Sequence, residues 1–170
     1  MEIELQPATI NDKPVLRNLM ELYEYDFSEY ENSDVDDHGL YGYRYLDHYW
    51  TEPGRHAFLV RVDRRLAGFA LLREIHDNPG SPTHSVAEFF ILKKFRRRGV
   101  GLEAACRLFD LFPGRWRVAE EKANQCAQLF WHDVIDTYTG GNFEEMDLDN
   151  AEWCGLVQLF RTEGGIGGFE

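Results

Sequence analysis

Strand-like and helical patterns alternate through the middle of the chain, and this order limits the folds that it can adopt. The run from His84 to Leu92 is apolar and has strand length, Gly99 to Phe112 has helical spacing, and Arg115 to Ala119 is strand-like again. From Ala123 to Ile135, apolar residues recur at intervals of three and four, which is the most regular helical stripe in the chain. This succession predicts a sheet with helices packed on its faces.

The segments on either side add strands and one long helical region. Apolar residues at helical spacing run from Leu16 to Tyr30, in one helix or two, whereas residues 31–50 lose this periodicity and are predicted to form a long loop with room for a short helix. Further strands are predicted at residues 2–6, 56–62, 66–73, 142–148 and 152–161. The sequence therefore predicts an α/β (α+β) fold with a mixed central sheet of six to seven strands.

Length and charge exclude several classes of protein. The chain has 170 residues, which is typical of one domain, and its formal net charge is −12. Surplus negative charge argues against non-specific binding to nucleic acid and against docking on an anionic membrane. Three separate cysteines without a CxxC pair argue against a disulfide framework and a zinc ribbon, so no metal site is expected. No signal-like segment or membrane-spanning apolar run is visible, which predicts a cytoplasmic protein.

A dense basic cluster lies between the strand that ends at Leu92 and the helix that begins near Gly99. Its members are Lys93, Lys94, Arg96, Arg97 and Arg98. A helix start presents unpaired N–H groups and positive potential to a phosphate, and glycine lets the backbone approach it closely. The GxxxxGK[ST] loop is absent, and the GxGxxG fingerprint is absent because Ala104 replaces its third glycine. The pattern that is present, from Arg96 to Gly101, is R-x-x-G-x-G.

This pattern resembles the pyrophosphate loop of the GNAT superfamily of acetyl-CoA-dependent N-acetyltransferases, which is written [QR]-x-x-G-x-[GA]. The run N-x-x-A-x-x-x-W from Asn124 to Trp131 is similar to the family's N-x-x-A-x-x-x-Y. Residues 60–160 carry the resemblance well, and the helix-rich start looks like that of a poorly characterised bacterial subgroup. The resemblance implies a GNAT-like sheet that is splayed in the middle, with helices on both faces.

The resemblance also implies one acetyltransferase domain over residues 1–170. Its helix-rich acceptor side would occupy residues 1–55, its cofactor-binding core and C-terminal strands residues 56–161, and a tail residues 162–170. The expected partner is a small-molecule or peptide amine, with no nucleic acid and no membrane, and pairing of two identical chains is left open.

Acetyl-CoA is the cofactor that the resemblance implies. Backbone amides from Arg97 to Leu102 would hold its pyrophosphate with help from the arginine side chains, and the strand edge at Ile91 would bind the pantetheine arm. An N–H group of Ile91 or Leu92 would stabilise the tetrahedral intermediate. Asn124 matches the family asparagine that faces the arm, with a helix N-cap as the alternative. The implied cofactor-binding residues are Ile91, Leu92, Arg96, Arg97, Arg98, Gly99, Val100, Gly101, Leu102 and Asn124.

The implied reaction is direct attack of a primary amine on the acetyl group in a ternary complex, and it requires a group that removes a proton from the amine. Glu88 is the first candidate, because it is ionisable among apolar neighbours; a surface carboxylate with an arginine partner is the alternative. His84, on the same face of the strand, is the second candidate, with an exposed histidine at the strand end as the alternative. Trp131 stands where many family members have a tyrosine that protonates the thiolate. Either Tyr138, His132 or water takes that role or no protonation is needed, and a core position is the alternative for Trp131.

An acidic and aromatic segment precedes this core. Residues 21–37 contain eight carboxylates and no lysine or arginine, and seven of the eight tyrosines lie between Tyr23 and Tyr49. Such a segment would bind a cationic amine, whereas a solvated acidic face is the alternative. The candidate acceptor-binding residues are Tyr25, Asp26, Asp36 and Asp37. A polyamine-like or aminoglycoside-like compound, an amino acid and a peptide amine all remain open as acceptors.

A non-catalytic acyl-CoA-binding or regulatory GNAT-like module is the second interpretation, and the tryptophan at position 131 keeps it open. Both interpretations retain the R-x-x-G-x-G loop. They differ in whether an ionisable group reaches the acetyl carbon.

Overall fold

The computed structural model describes residues 1–76 and 79–163. The strands are β1 (Ile3–Pro7), β2 (Arg55–Val62), β3 (Arg65–Ile75), β4 (Thr83–Ile91), β5 (Gly114–Glu121), β6 (Glu144–Asp149) and β7 (Cys154–Thr162). The helices are α1 (Lys13–Phe27), α2 (His48–Thr51), α3 (Val100–Leu111) and α4 (Gln125–Thr139). One seven-stranded sheet runs in the order β1-β2-β3-β4-β5-β7-β6, and the chain divides into two compact units.

The first unit comprises residues 1–72 and 87–100. Strand β1 is antiparallel to β2, with Ile3 opposite Val62. Asp63 and Arg64 join β2 to β3, and both have left-handed backbone angles, with φ of 47° and 64°. Two left-handed central residues are typical of a type I′ turn, whose twist matches that of the strands it connects.

The core of the first unit fixes the orientation of α1. Leu16, Leu19 and Met20 form the buried stripe of this helix and belong to one cluster with Phe69 and Phe90. Tyr23 follows three residues after Met20, so it continues the same face, and its ring centroid lies 5.8 Å from those of both phenylalanines. Packing of the helix therefore directs the Tyr23 side chain toward β3 and β4.

The second unit comprises residues 73–86 and those from Gly101 onward, as far as the structure describes them. Strand β4 is parallel to β5 over three residue pairs, from Thr83 opposite Arg115 to Ser85 opposite Arg117. Strand β7 is antiparallel to both β5 and β6. The core of this unit stacks aromatic rings: the Phe109 centroid lies 4.8 Å from that of Trp116 and 4.9 Å from that of Phe160.

The fold class predicted from the sequence is confirmed, with seven strands and flanking helices. The long N-terminal helical pattern forms one helix, which has Asp12 at its N-cap and Pro14 in its first turn. The short helix expected within residues 31–50 is α2, which begins at His48. Within the described ranges, no helix is long and apolar enough to cross a membrane. The predicted tail lies outside the described residues from position 164 onward.

Candidate active site

The loop between β4 and α3 has an unusual backbone conformation. Arg97 has a φ of 56° and Gly99 a φ of 78°, while Arg96 is extended. Phe95 and Val100 are buried at the two ends of the loop, and residues 96–99 are exposed between them. Left-handed residues in such a loop turn successive N–H groups to one side, and a concave set of donors binds anions. A left-handed arginine is strained, and strain of this kind concentrates at functional sites.

The three arginines of this loop differ in their surroundings. Arg97 and Arg98 are exposed, and neither forms an ion pair with any described residue. Arg96 is engaged with the protein: its Nε donates to the carbonyl oxygen of Ile91 at 2.6 Å, and its Nη2 donates to Oδ2 of Asp26 at 2.6 Å. Two of the three guanidinium groups are therefore available to a phosphate, whereas the first positions the chain.

At the carboxyl end of β4, the backbone N–H groups of Ile91 and Leu92 point to opposite edges of the strand. The N–H of Leu92 donates to the carbonyl oxygen of Ala67 in β3 at 2.8 Å. Because N–H groups of successive strand residues point to opposite edges, the N–H and carbonyl of Ile91 point away from β3. Gly68 is required for this approach, since a Cβ there would lie 2.0 Å from the carbonyl oxygen of Phe90. Of the amides of Ile91 and Leu92, that of Ile91 is the one directed away from β3.

Glu88 lies in β4, three residues before Ile91, and two phenols hold its carboxylate. The hydroxyl of Tyr23 in α1 donates to Oε2 at 2.6 Å, and the hydroxyl of Tyr43 donates to Oε1 at 3.0 Å. Both oxygens are thus bound by neutral donors from elements that pack over β4, which differs from the solvated surface carboxylate of the alternative interpretation.

Ionisation is unfavourable for two phenols that bond Glu88 and for one nearby carboxyl group. Burial first, and then the charge of Glu88, raises the pKa of Tyr23 and of Tyr43 well above the usual phenol range, so both remain hydrogen-bond donors. Burial, with the nearby charges of Glu88, Glu31 and Glu21, raises the pKa of Glu24 to about 7. Glu24 is therefore a half-buried carboxyl group whose charge changes near neutral pH.

The segment from Tyr41 to Tyr45 is held against α1 by the side chain of Glu21. Its two carboxylate oxygens accept the backbone N–H groups of Tyr41 at 2.7 Å and Gly42 at 3.0 Å. Residues 41–45 line an open cleft of about 620 Å³, which is the size of a small-molecule site. Tyr43 is therefore common to the lining of the cleft and to the hydrogen bonds of Glu88.

His84 and Tyr138 belong to the second unit and have different surroundings from Glu88. His84 is buried, with its ring centroid 5.5 Å from that of Phe112 and 5.4 Å from that of Trp116, so it is not an exposed residue at the end of its strand. The Tyr138 hydroxyl donates to Oδ1 of Asp110 at 2.7 Å, and burial together with that carboxylate raises its pKa. Tyr138 thus joins α4 to α3.

Helix α4 carries the remaining residues of the family-like pattern. Asn124 forms the N-cap: its Oδ1 accepts the N–H of Ala127 at 3.0 Å, which starts the helix at Gln125. Trp131 is buried in the core, with its ring centroid 6.4 Å from that of Phe109. The Nδ1 of His132 lies 3.0 Å from Oε2 of Glu145.

The predicted acceptor-binding residues are not gathered at one point. Asp36 organises its own loop, since its Oδ1 accepts the N–H groups of His38 at 2.8 Å and Leu40 at 3.0 Å. Asp37 and Tyr25 are exposed. Asp26 pairs with Arg96 and, at 3.1 Å, with Nζ of Lys93.

Sequence reasoning missed the tyrosines that hold Glu88 and a buried carboxyl group at Glu120. Glu120 is 4% exposed, and neither of its carboxylate oxygens has a hydrogen-bond partner among the described residues. The signal for it is alternation along β5, because Glu120 continues the inward face of Trp116 and Val118. For Tyr23, the signal is its position on the apolar stripe of α1.

A loop with left-handed backbone at Arg97 and Gly99 thus directly follows β4, and the N–H of the last residue of β4, Ile91, points away from β3. The Acetyltransferase (GNAT) family profile matches residues 17–138. The protein belongs to the GNAT acetyltransferase family.

Solved structures support the same fold at low sequence identity. An acetyltransferase from Thermus thermophilus is 18% identical, with a TM-score of 0.67 and coverage of 95% of this chain and 97% of that one. An aminoglycoside acetyltransferase from an uncultured soil metagenomic sample, in complex with sisomicin, is 16% identical, with a TM-score of 0.65 and coverage of 87% and 93%. The PaiA N-acetyltransferase from Thermoplasma acidophilum, in complex with coenzyme A, is 14% identical, with a TM-score of 0.59 and coverage of 95% and 99%. No curated protein matches the sequence.

Proposed function

We propose that the protein transfers an acetyl group from acetyl-CoA to a primary amine by direct attack in a ternary complex. The observation that carries this proposal is the combination, in one strand and loop, of a phenol-bound carboxylate at Glu88 and left-handed backbone at Arg97 and Gly99. The coenzyme A complex of the PaiA protein, which shares the fold, supports the choice of acyl donor.

The chain's own residues would hold acetyl-CoA as follows. The N–H groups of residues 97–102 would bind its pyrophosphate, and the unpaired guanidinium groups of Arg97 and Arg98 would add charge. The edge of β4 at Ile91 would bind the pantetheine arm and present its N–H to the thioester carbonyl. Asn124 remains a candidate contact, through the part of its amide that does not cap α4.

In the transfer, the amine nitrogen would form a C–N bond to the thioester carbon, giving the tetrahedral intermediate, and the C–S bond would then break to release the thiolate of coenzyme A. Glu88 accepts the proton that the amine loses, and Tyr23 and Tyr43 hold the carboxylate in place. The hydroxyl of Tyr138 is committed to Asp110, and His132 is paired with Glu145, so the geometry favours water over either side chain as the proton source for the thiolate.

The acceptor we propose is an amine that arrives with a positive charge. Glu21 bonds the backbone of Tyr41 in the lining of the cleft, Glu88 bonds the hydroxyl of Tyr43, and the charges of both act on Glu24. Cations are attracted both to carboxylates and to tyrosine faces. Sisomicin, which is bound to the aminoglycoside acetyltransferase of the same fold, is the ligand in that protein's complex and guides the choice of test compounds.

An acceptor screen tests the proposal. The protein would be incubated with acetyl-CoA and a panel containing a polyamine, an aminoglycoside, amino acids and a lysine peptide, and release of free thiol would be measured. We expect amine-dependent thiol release, largest for the cationic acceptors. Tight binding of acetyl-CoA without turnover of any amine would favour the non-catalytic module, which the buried tryptophan at position 131 keeps under consideration.

We expect replacement of Gly99 by valine to weaken coenzyme A binding about tenfold. A Cβ at this position meets no neighbour within 4 Å, so the fold should be retained. The φ of 78° is nevertheless strained for any residue with a side chain, at about 1–2 kcal/mol, and the loop would relax away from its anion-binding conformation. Calorimetric titration with coenzyme A measures the effect, and Gly39→Val, at a similar φ in another open loop, is the matched control.

The apparent KM for a cationic acceptor should fall as pH rises through about 7. Glu24 is neutral below its pKa of about 7 and charged above it, so it attracts an ammonium group only on the alkaline side. Glu24→Gln should remove this step from the pH profile, whereas Glu29→Gln, an exposed carboxylate five residues further along the chain, should leave it in place. An unchanged profile in Glu24→Gln would show that Glu24 does not face the acceptor.

A further inference from the structure

Asp26 occupies an electrostatically unfavourable position for a carboxylate. It is the penultimate residue of α1, where the helix dipole repels negative charge. The last turn of α1 contains no basic residue that would offset this repulsion. Two cations that follow β4 offset this repulsion. Lys93 and Arg96 each bond one carboxylate oxygen of Asp26, at 3.1 Å and 2.6 Å.

The pair formed by Asp26 and Arg96 is specific in geometry. The guanidinium group of Arg96 bonds the carboxylate through Nη2 and the carbonyl oxygen of Ile91 through Nε, and it also lies 5.4 Å from the ring centroid of Phe90. Although burial acts in the opposite direction, the hydrogen bonds from Arg96 and Lys93 lower the pKa of Asp26, so it is charged at neutral pH. The side chain of Asp26 is 23% exposed, so the pair is partly shielded from solvent.

This arrangement connects α1 to the backbone that our proposed function uses. Arg96 holds the carbonyl of Ile91, whose N–H lies on the same edge of β4, and Arg96 immediately precedes the left-handed Arg97. Loss of the carboxylate would free the guanidinium group to rotate away from Ile91. The end of β4 and the start of the loop would then no longer be held to α1 through the guanidinium group of Arg96.

We propose that Asp26 is a positioning residue for acetyl-CoA, acting through Arg96 on the end of β4 and on the loop from Arg96 to Gly99. This inference rests on the proposed function. It replaces the sequence-based expectation that Asp26 binds the acceptor, since both carboxylate oxygens are already committed to cations of the loop.

Binding and kinetics of Asp26→Asn test this role. We expect coenzyme A affinity by calorimetry to fall roughly tenfold, as for loss of one charge-assisted hydrogen bond. The KM for acetyl-CoA should rise by the same factor, and the KM for the amine should stay within about twofold. Asp26→Glu should recover most of the affinity, and Glu29→Gln, which removes the same charge from an exposed position nearby, should have no effect.

A second substitution tests the same interaction between Asp26 and Arg96 from the side of the arginine. Arg96→Gln should weaken coenzyme A binding to a similar extent, and the double variant should be no weaker than either single one, because the two residues act as one unit. Wild-type affinity in Asp26→Asn, additive losses, or a rise in the KM of the amine alone would overturn the inference. Failure of the wild type to bind coenzyme A would instead overturn the proposed function, on which this inference depends.

Discussion

Replacement of Glu88 by glutamine should lower kcat by about 10²–10⁴-fold, the range expected when a general base is removed. Glutamine retains the size of the side chain and an oxygen that can accept from Tyr23 or Tyr43, but it cannot take a proton from the amine. The loss should be in the chemical step, so coenzyme A affinity should remain within a few-fold of the wild-type value. Steady-state kinetics on the best amine, together with calorimetry, measures the two quantities separately.

The variant Tyr43→Phe is the matched control for the loss of kcat in Glu88→Gln. Tyr43→Phe removes one hydrogen bond to the carboxylate and leaves the carboxylate in place, so it should lower kcat by much less than Glu88→Gln. Near wild-type turnover in Glu88→Gln would exclude Glu88 as the base. A large loss of coenzyme A affinity in the same variant would assign it to binding and not to catalysis.

The elements of the fold were predictable because each has a strong local signal. The stripe from Ala123 to Ile135 has the period of a helix with one buried face, and β2 and β3 appear as continuous apolar runs because both of their faces are buried. The predicted ends of the helices were less exact, because a helix begins where a capping side chain bonds its first N–H groups. Asn124 illustrates this point: its side chain bonds the N–H of Ala127 and starts α4 two residues later than the apolar stripe.

The candidate site was predictable only where its residues are consecutive. The loop from Arg96 to Gly101 is visible as a motif, but the sequence does not show that Arg96 bonds Asp26, 70 residues away, or that Tyr43 bonds Glu88, 45 residues away. Such pairs depend on the packing of α1 and of the loop before α2. Charge alone therefore assigns Asp26 to the acceptor, although its partners in the folded chain are cations.

Glu120 in the second unit is a buried acid whose environment determines its charge. Burial raises its pKa to about 8, with the amide of Gln158 acting in the opposite direction and the charge of Glu145 adding to the rise. Gln158 is fully buried and donates to Oε2 of Glu145 at 3.0 Å, and the same oxygen lies 3.0 Å from Nδ1 of His132. At neutral pH the folded protein therefore keeps a proton on Glu120.

Because the pKa of Glu120 is raised in the folded state, we expect the free energy of unfolding to fall as pH rises. The unfolded chain releases the proton near the ordinary value of 4.5, and the folded chain releases it near 8. Between these values the folded state binds more protons, so the free energy of unfolding falls with pH, and the part due to Glu120 is lost once pH exceeds about 8. At about 1.4 kcal/mol per pKa unit, the cumulative loss is on the order of 5 kcal/mol.

Glu120→Gln should remove this dependence, because the amide has a similar shape and does not titrate. Urea unfolding at pH 5 and pH 8 should show the variant close to the wild type at the lower pH and more stable by about 3–4 kcal/mol at the higher one. Glu144→Gln, an exposed substitution of the same kind on β6, should change the wild-type slope little. Equal slopes for Glu120→Gln and the wild type would mean that Glu120 titrates near its ordinary pKa, either because water reaches the carboxyl group or because the Gln158 amide stabilises its charged form.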